Sequence, residues 1–437
     1  ALAAIGSGGK GSGDIRNASV KGRERVIALC DVDQSKGNGI GKTIKRFSDA
    51  RFYDNFKKML DTEKDIDAVT ISTPDHTHAS AAIYAMQRGI HVYVQKPLTH
   101  NIYEARLLTE MAREKKLVTQ MGNQGASNPD QLQIQKWINE GAIGTISEVN
   151  VWTNRPVWPQ GVAMSTPDDS AKPETLNWDQ WLGPAPQTPF IPKMHPFNWR
   201  GWWNFGTGAL GDMGCHLIDI PFKALGLKYP TDVECSVGTV YTKMWSPDFY
   251  PEGCPPSSSV SIHFDATEKN NGPIKMTWSD GGIKPFHPDL LPADVPIAPN
   301  GVIMIGDKGV ITCDAYGEDP KMYRKGEPVL EGEKVKITEP EFGHQRKWVD
   351  ACKAGFNSTE HKALTSSFDY SGPLTETVLM GNIAIRSYML QKKNNKGRSE
   401  FIGRKKLLWD GDNMKITNMD EANQFVGRTY REGWELS

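Results

Sequence analysis

No apolar run in this 437-residue chain approaches the roughly 20 residues that a bilayer-spanning helix needs. Bulk charge is missing too: 51 basic and 52 acidic side chains leave a net charge of -1, with no basic stripe or acidic tail to mark a nucleic-acid or membrane partner. Cysteine is sparse. The six (Cys30, Cys215, Cys235, Cys254, Cys313, Cys352) are scattered with no C-x-x-C pair, so neither a zinc site nor a disulfide framework is indicated and compartment is left undecided. Internal repeats and low-complexity blocks are absent. These exclusions leave a small molecule as the partner, and the length points to two domains.

What is present in the first 125 residues is an alternation of short β-branched runs and amphipathic stretches, the pattern of a parallel sheet with helices on both faces. Strands are expected at "LAAI", "RVIALC", "DAVTIS", "HVYV" and "LVTQM". Helices are expected at "GDIRNASV", "QSKGNGIGKTIKRF", "NFKKMLDTEK", "HASAAIYAMQRG" and "NIYEARLLTEMAREK". A further helix is expected near residues 130 to 140. Beyond it, longer alternating runs ("SEVNVWT", "DVECSVGTVYTKM", "SVSIHF", "IKMTWSD", "GVITCDAY") favour a large, mostly antiparallel sheet. The expected division is a dinucleotide-binding domain over 1–125 and a substrate domain over 126–437. Pro, Gly and Trp crowd residues 154 to 205, which read as an ordered functional loop. The chain opens inside an apolar strand, "ALAAIG", so residues completing it and any export signal are expected upstream.

"AAIGSGGKGSG" sets Gly6, Gly8 and Gly11 in G-x-G-x-x-G order after a strand and at the opening of a helix. Glycine permits the tight turn and close backbone approach, and the helix N-terminus offers N–H groups to a pyrophosphate. Twenty residues after Gly11, Asp31 ends the second strand, where a carboxylate accepts ribose hydroxyls and repels a 2'-phosphate. NAD is therefore favoured over NADP. In "ISTPDHTHA", His76 reads as a surface or capping residue, while His78 could line the cofactor crevice. Lys96 ends the strand "HVYV" and faces the same crevice, where an ammonium steadies an oxygen as a hydride leaves its carbon. Asp212 and His216, four apart in "GALGDMGCHLID", share one helix face with Asp219 a turn further on. A carboxylate that orients an imidazole makes a general base, and no metal is expected there.

Together GSGGKG, CDVD, STPDHTH, the Lys96-Pro97 dipeptide and GTGALGDMGCHLID resemble the Gfo/Idh/MocA family of sugar and cyclitol oxidoreductases. The resemblance runs over most of the chain. It implies a Rossmann domain followed by an α/β domain on a large, mostly antiparallel open sheet whose outer face makes oligomer contacts, and so a homo-oligomer. It also implies that Lys96, Asp212 and His216 form the catalytic set, and a lysine-proline peptide that is often cis. Gln95 departs from the family's usual glutamate, which removes a charge near the nicotinamide ribose. "TQMGNQG", "WRGWWNFGTGALGDMGCHLIDIP" and "YREGW" resemble a branch frequent among exported proteins of Bacteroidetes and planctomycetes, often led by a twin-arginine signal. A periplasmic or otherwise exported protein is implied, with a cytoplasmic one as the alternative.

The expected cofactor contacts are Gly6, Ser7, Gly8, Gly9, Lys10, Gly11, Asp31, Thr73, Pro74, His78, Gln95, Lys96 and Asn123, around a tightly held NAD. The expected substrate contacts are Lys96, Trp158, Arg200, Trp203, Asp212 and His216. Six tryptophans (Trp158, Trp178, Trp181, Trp199, Trp202, Trp203) precede the Asp212 helix among Arg155, His195 and Arg200, a composition suited to a sugar with apolar faces and polar edges. The first functional expectation is NAD-dependent oxidation of a secondary hydroxyl, at carbon 3, of a sugar or glycoside. The second is glycoside cleavage by oxidation and elimination with NAD recycled. The third is a non-catalytic sugar-binding protein that keeps a relict cofactor site.

Overall fold

Short strands apolar on both faces must be covered on both sides, and the N-terminal part of the chain does this with a six-stranded parallel sheet. The computed structural model describes residues 1–35, 39–333 and 335–436. The strands are β1 (Leu2–Ile5), β2 (Val26–Cys30), β3 (Arg51–Tyr53), β4 (Ala68–Ile71), β5 (His91–Val94) and β6 (Thr119–Met121), in the order β3-β2-β1-β4-β5-β6. Order reverses between β1 and β4, so a crevice opens beyond their carboxyl ends. The helices between them are α1 (Gly9–Ala18), α2 (Ile40–Arg46), α3 (Phe56–Thr62), α4 (His78–Met86) and α5 (Ile102–Glu114). The expected helix over residues 34–47 is thus shorter, and its residues 36–38 lie outside those described. Strand β3 escaped the pattern reading because three residues, only partly buried, carry too little alternation to register.

The second half follows with α6 (Asp130–Asn139), β7 (Ile146–Trp152), α7 (Trp178–Leu182), α8 (Gly208–Leu217) and α9 (Asp219–Ala224). Strands β8 (Asp232–Val237), β9 (Ser258–Phe264), β10 (Ile274–Ser279), β11 (Gly301–Gly306), β12 (Val310–Cys313), β13 (Lys321–Tyr323) and β14 (Leu330–Glu331) come next. The chain then forms α10 (His344–Ala354), α11 (Thr359–Lys362), α12 (Phe368–Tyr388), a hairpin of β15 (Gln391–Lys393) with β16 (Ser399–Phe401), and the strands β17 (Leu407–Asp410) and β18 (Lys415–Ile416). Ten strands make one sheet, β14-β13-β12-β11-β7-β10-β9-β8-β17-β18, antiparallel except for the β7–β10 pair. The run expected to extend from Asp232 to Met244 stops at Val237. Its neighbour β9 begins opposite, at Ser258, so residues beyond Val237 have no strand to pair with.

One face of the large sheet packs its apolar residues, including Val149, Val260, Met276 and Trp278, with Leu374 and Val378 of α12 in the main core. Helix α10, although it lies late in the chain, covers the N-terminal sheet. Its Trp348, Val349 and Ala351 close a separate cluster with Leu2, Ala4, Ile15, Leu29 and Tyr93. No helix among the described residues is long and apolar enough to cross a membrane.

Candidate active site

The crevice at the switch point is the mouth of a cleft of about 600 Å³, and the glycine loop forms its floor. Gly6 adopts φ +74, and a Cβ there would come within 2.6 Å of the Ser72 carbonyl oxygen, so the β1–α1 turn tolerates no side chain. Gly11 packs still closer: its Cβ would lie 1.7 Å from the Gly6 carbonyl oxygen. Gly11 therefore shapes the loop from beneath. Gly6, Gly8, Gly9 and Lys10 line the cleft, whereas Ser7 turns away and donates its hydroxyl to the Cys30 carbonyl at 2.9 Å, tying the loop to β2. Asp31 accepts the Gly8 N–H at 2.8 Å on one oxygen and the Asp33 N–H at 3.0 Å on the other, and burial raises its pKa. A bare helix N-terminus with a strand-end carboxylate beside it fits a dinucleotide bound with its pyrophosphate at α1 and its ribose at Asp31.

The far end of the cleft holds the charged groups. Lys96 follows β5 and precedes a cis peptide to Pro97, and its ammonium donates to both Asp212 Oδ1 and the Asp212 carbonyl at 2.7 Å. Arg200 Nε approaches the same Oδ1 at 3.3 Å. Burial alone would raise Asp212, but the Lys96 and Arg200 cations outweigh it and hold the carboxyl at about 2. His216, one turn along α8, lines the cleft and is 4% exposed; burial, reinforced by Lys96, holds its pKa well below the usual imidazole range. It is a neutral imidazole at physiological pH. The spacing-based expectation that Asp212 orients His216 is corrected here. The Asp212 carboxylate is taken up by Lys96 and Arg200, and His216 Nδ1 is buried without a hydrogen-bond partner.

Several other expected residues stand apart from the cleft. His78 is buried, its ring bonded to the Pro97 carbonyl at 2.8 Å and the Thr73 carbonyl at 2.9 Å, so it braces the Lys96 turn from below while Thr73 and Pro74 themselves line the cleft. His76, expected in a surface or capping role, is fully buried between the Phe205 and Trp181 carbonyls. Asn123 is consumed in the interior by the Cys215 carbonyl and the Ser366 hydroxyl. Trp203 lies behind the wall beside Arg386, and Trp158 supports Phe197 and Arg200 from the side. Asp219 serves Tyr370 and Gln131 in the core.

Gln95 lines the cleft, and its amide donates to Asp14 at 2.9 Å. Asp14 also receives Ser72, Gln345 and Lys10. The carboxylate absent at position 95 is thus present on α1, and a glutamate at 95 would face it. Tyr316, Asp75, Phe197 and Gln124 also line the cleft, beyond the cofactor and substrate contacts that the sequence predicts. Asp75 stood in plain view beside the two histidines; Tyr316, a hundred residues beyond His216, carries no local signal at all. Among the described residues, no group of three or more His, Cys, Asp or Glu side chains is placed to hold a metal ion.

Residues 1–123 match the family described as "Oxidoreductase family, NAD-binding Rossmann fold", and residues 129–239 match its C-terminal alpha/beta domain. The chain belongs to the Gfo/Idh/MocA oxidoreductase family. Over 183 residues it is 27% identical to levoglucosan dehydrogenase of Pseudarthrobacter phenanthrenivorans, covering 42% of this chain and 38% of that protein. Over 59 residues it is 44% identical to UDP-N-acetylglucosamine 3-dehydrogenase of Acidithiobacillus ferrooxidans, 14% of this chain and 19% of that one. A glycosyl hydrolase family 109 protein of Shewanella pealeana is 26% identical over 151 residues, 32% of each chain. The matched stretches therefore span at most 38% of these relatives. A solved levoglucosan dehydrogenase with NADH and L-sorbose shares the fold at a TM-score of 0.58 and 16% identity, over 88% of this chain and 96% of that one. An inositol dehydrogenase homolog from Azotobacter vinelandii, solved with NADH and myo-inositol, gives 0.58 and 16% over 88% and 94%.

Proposed function

We propose that the protein is an NAD-dependent dehydrogenase that oxidises a secondary hydroxyl, at carbon 3, of a sugar or glycoside. The observation that carries this reading is the convergence of Lys96, Asp212 and His216 at one end of a cleft whose other end is the glycine loop and Asp31. A lysine ammonium has three N–H groups; with two directed at Asp212, one remains for the substrate oxygen. His216, neutral and open to the cleft, accepts the hydroxyl proton. Asp212, kept ionised, fixes Lys96, and Arg200 balances its charge. The chemistry NAD supplies when bound is acceptance of the hydride from the carbon bearing that hydroxyl. Trp181, Phe197 and Trp199 give the cleft the flat apolar surface that a sugar ring uses. Carbon 3 takes support from the relative named for 3-dehydrogenation. An exported location and self-association through the outer face of the ten-stranded sheet belong to the same proposal and rest on the family resemblance.

The test is the near-ultraviolet absorbance of enzyme with NAD as levoglucosan, methyl pyranosides and inositol are added. Reduction by a pyranoside is expected, with Lys96→Ala and His216→Ala each slowing it roughly a thousandfold at unchanged melting temperature. A panel that reduces no NAD overturns the reading. Glycoside cleavage with recycled NAD is a second reading, favoured by the loop from residues 168–205, which lines the cleft and reaches the N-terminal domain. That loop pairs Leu176 with Asp33 beside the cofactor-binding Asp31. Release of the aglycone and free sugar with no net NADH would select it, whereas deuterium at carbon 2 of recovered glycoside reports only carbon 3 oxidation and enolisation.

A further inference from the structure

Tyr316 sits in a turn after β12 with φ +68 and ψ 7, a left-handed backbone that is costly for a bulky side chain. The surroundings hold it there. The Asp314 N–H donates to the Glu318 carbonyl at 2.9 Å, the Gly317 N–H to the Asp314 carbonyl at 3.1 Å, and the Asn128 side-chain amide to the Tyr316 carbonyl at 3.1 Å. Across the contact stands Gly125, where a Cβ would come within 2.8 Å of the Tyr316 ring. Strain kept in place from several sides points to a use for the side chain it aims. That side chain lines the cleft and meets His216 edge to face, ring centroids 4.8 Å apart at 81°. His216 Nδ1 has no hydrogen-bond partner among the described residues and Asp212 is engaged elsewhere, which leaves the tyrosine ring as the aromatic contact on the imidazole. The phenol hydroxyl makes no hydrogen bond among the described residues and is left to the cleft.

We propose that Tyr316 is a substrate-positioning residue with two separable parts: its ring orients His216, and its hydroxyl hydrogen-bonds a second hydroxyl of the sugar, beside the one that is oxidised. The second part rests on the sugar-dehydrogenase reading; the first does not. Tyr316→Phe keeps the ring and removes the hydroxyl, so KM should rise about tenfold with kcat nearly unchanged. Tyr316→Gly removes both and relieves the left-handed strain. Its kcat should fall about a hundredfold or more while the melting temperature stays within about 2 °C of wild type. Long-range proton–nitrogen correlation spectra of histidine-labelled protein read the His216 ring without any substrate, and they should change in Tyr316→Gly and not in Tyr316→Phe. Unchanged His216 signals in Tyr316→Gly overturn the orienting role, whatever sugars the enzyme accepts. Kinetic parameters equal to wild type in Tyr316→Phe overturn the hydroxyl contact, and a glycine variant that melts several degrees lower assigns the ring to packing instead. A wild type that oxidises no sugar removes the sugar reading and the hydroxyl contact with it, and leaves the ring to be judged by the spectra.

Discussion

Two of the carboxylates that line the cleft, Asp212 and Asp75, are driven in opposite directions by their neighbours. Asp212, bonded to Lys96 and flanked by Arg200, stays ionised down to about pH 2. Asp75 is 5% exposed, and burial pushes it up to about 6, despite the Thr207 hydroxyl donating to it at 2.6 Å and the more distant pull of the same two cations. Environments that separate like groups in this way mark acid–base sites. A carboxyl whose folded pKa lies above its ordinary value of 3.8 adds stability that is fully present below 3.8 and is lost as pH rises through about 6. The difference corresponds to about 3 kcal/mol. Asp75→Asn keeps an acceptor for Thr207 but cannot ionise. Between pH 4 and pH 7, wild-type stability should therefore fall relative to that variant by about 2 kcal/mol, measured by urea unfolding at each pH. Parallel curves would show that Asp75 ionises as freely as a surface carboxylate.

Helix α8 owes its position to small residues. A Cβ on Gly214 would reach Val378 at 3.0 Å and one on Gly381 would reach Leu210 at 2.3 Å, so α8 and α12 approach closely and fix the backbone that carries Asp212 and His216. The loop before α8 has a cluster of its own, in which Trp178 and Trp181 stack at 4.5 Å and Phe190, Trp199 and Phe205 join them. It also grips the N-terminal domain. Gln34 donates to the Thr175 carbonyl, Asn177 donates to both the Val32 carbonyl and Asp54, and His195 Nε2 meets Asp33 at 2.9 Å. These contacts surround Asp31, and we propose that they help retain a bound dinucleotide. His195→Ala should speed NAD release about tenfold, the equivalent of about 1.4 kcal/mol, with Asp31 still in place. Displacement of bound NADH by excess NAD, followed by fluorescence, measures the rate; an unchanged rate would free the loop of any part in retention.

Late segments of the chain cover the N-terminal sheet. One of its faces is completed by α10, whose Trp348 is fully buried against Tyr93, with ring centroids 5.6 Å apart. On the opposite side α5 is tied to α12 through a two-pronged Arg106–Glu376 pair at 2.8 and 3.0 Å. The N-terminal sheet is therefore covered and tied by residues more than two hundred positions away. Trp348→Ala should cost about 3–5 kcal/mol, the range for removing a large aromatic side chain from a packed interior. Urea unfolding monitored by circular dichroism would register the loss. A cost below about 1 kcal/mol would mean that the sheet holds its face without α10.

What the sequence determined by itself is what short-range spacing encodes: the strand–loop–helix with its three glycines, Asp31 at the next strand's end, Lys96 at another, and Asp212 and His216 one turn apart. Each depends on a period of two or 3.6 residues or on a turn that only certain residues permit, so a window of some twenty residues contains the whole signal. The tertiary structure decided the rest. Whether a residue at a strand end looks into the crevice or lies beneath it depends on the layer packed against it, which is why Thr73 and Pro74 line the cleft while His78 and Asn123 are spent inside. Asp212 turned to Lys96 rather than to His216 because an ammonium 116 positions away in the chain offers a charge-assisted bond that the spacing within α8 cannot reveal. Tyr316, Asp75 and α10 reach their places only through contacts between distant segments, and such contacts leave no periodicity in the residues that make them.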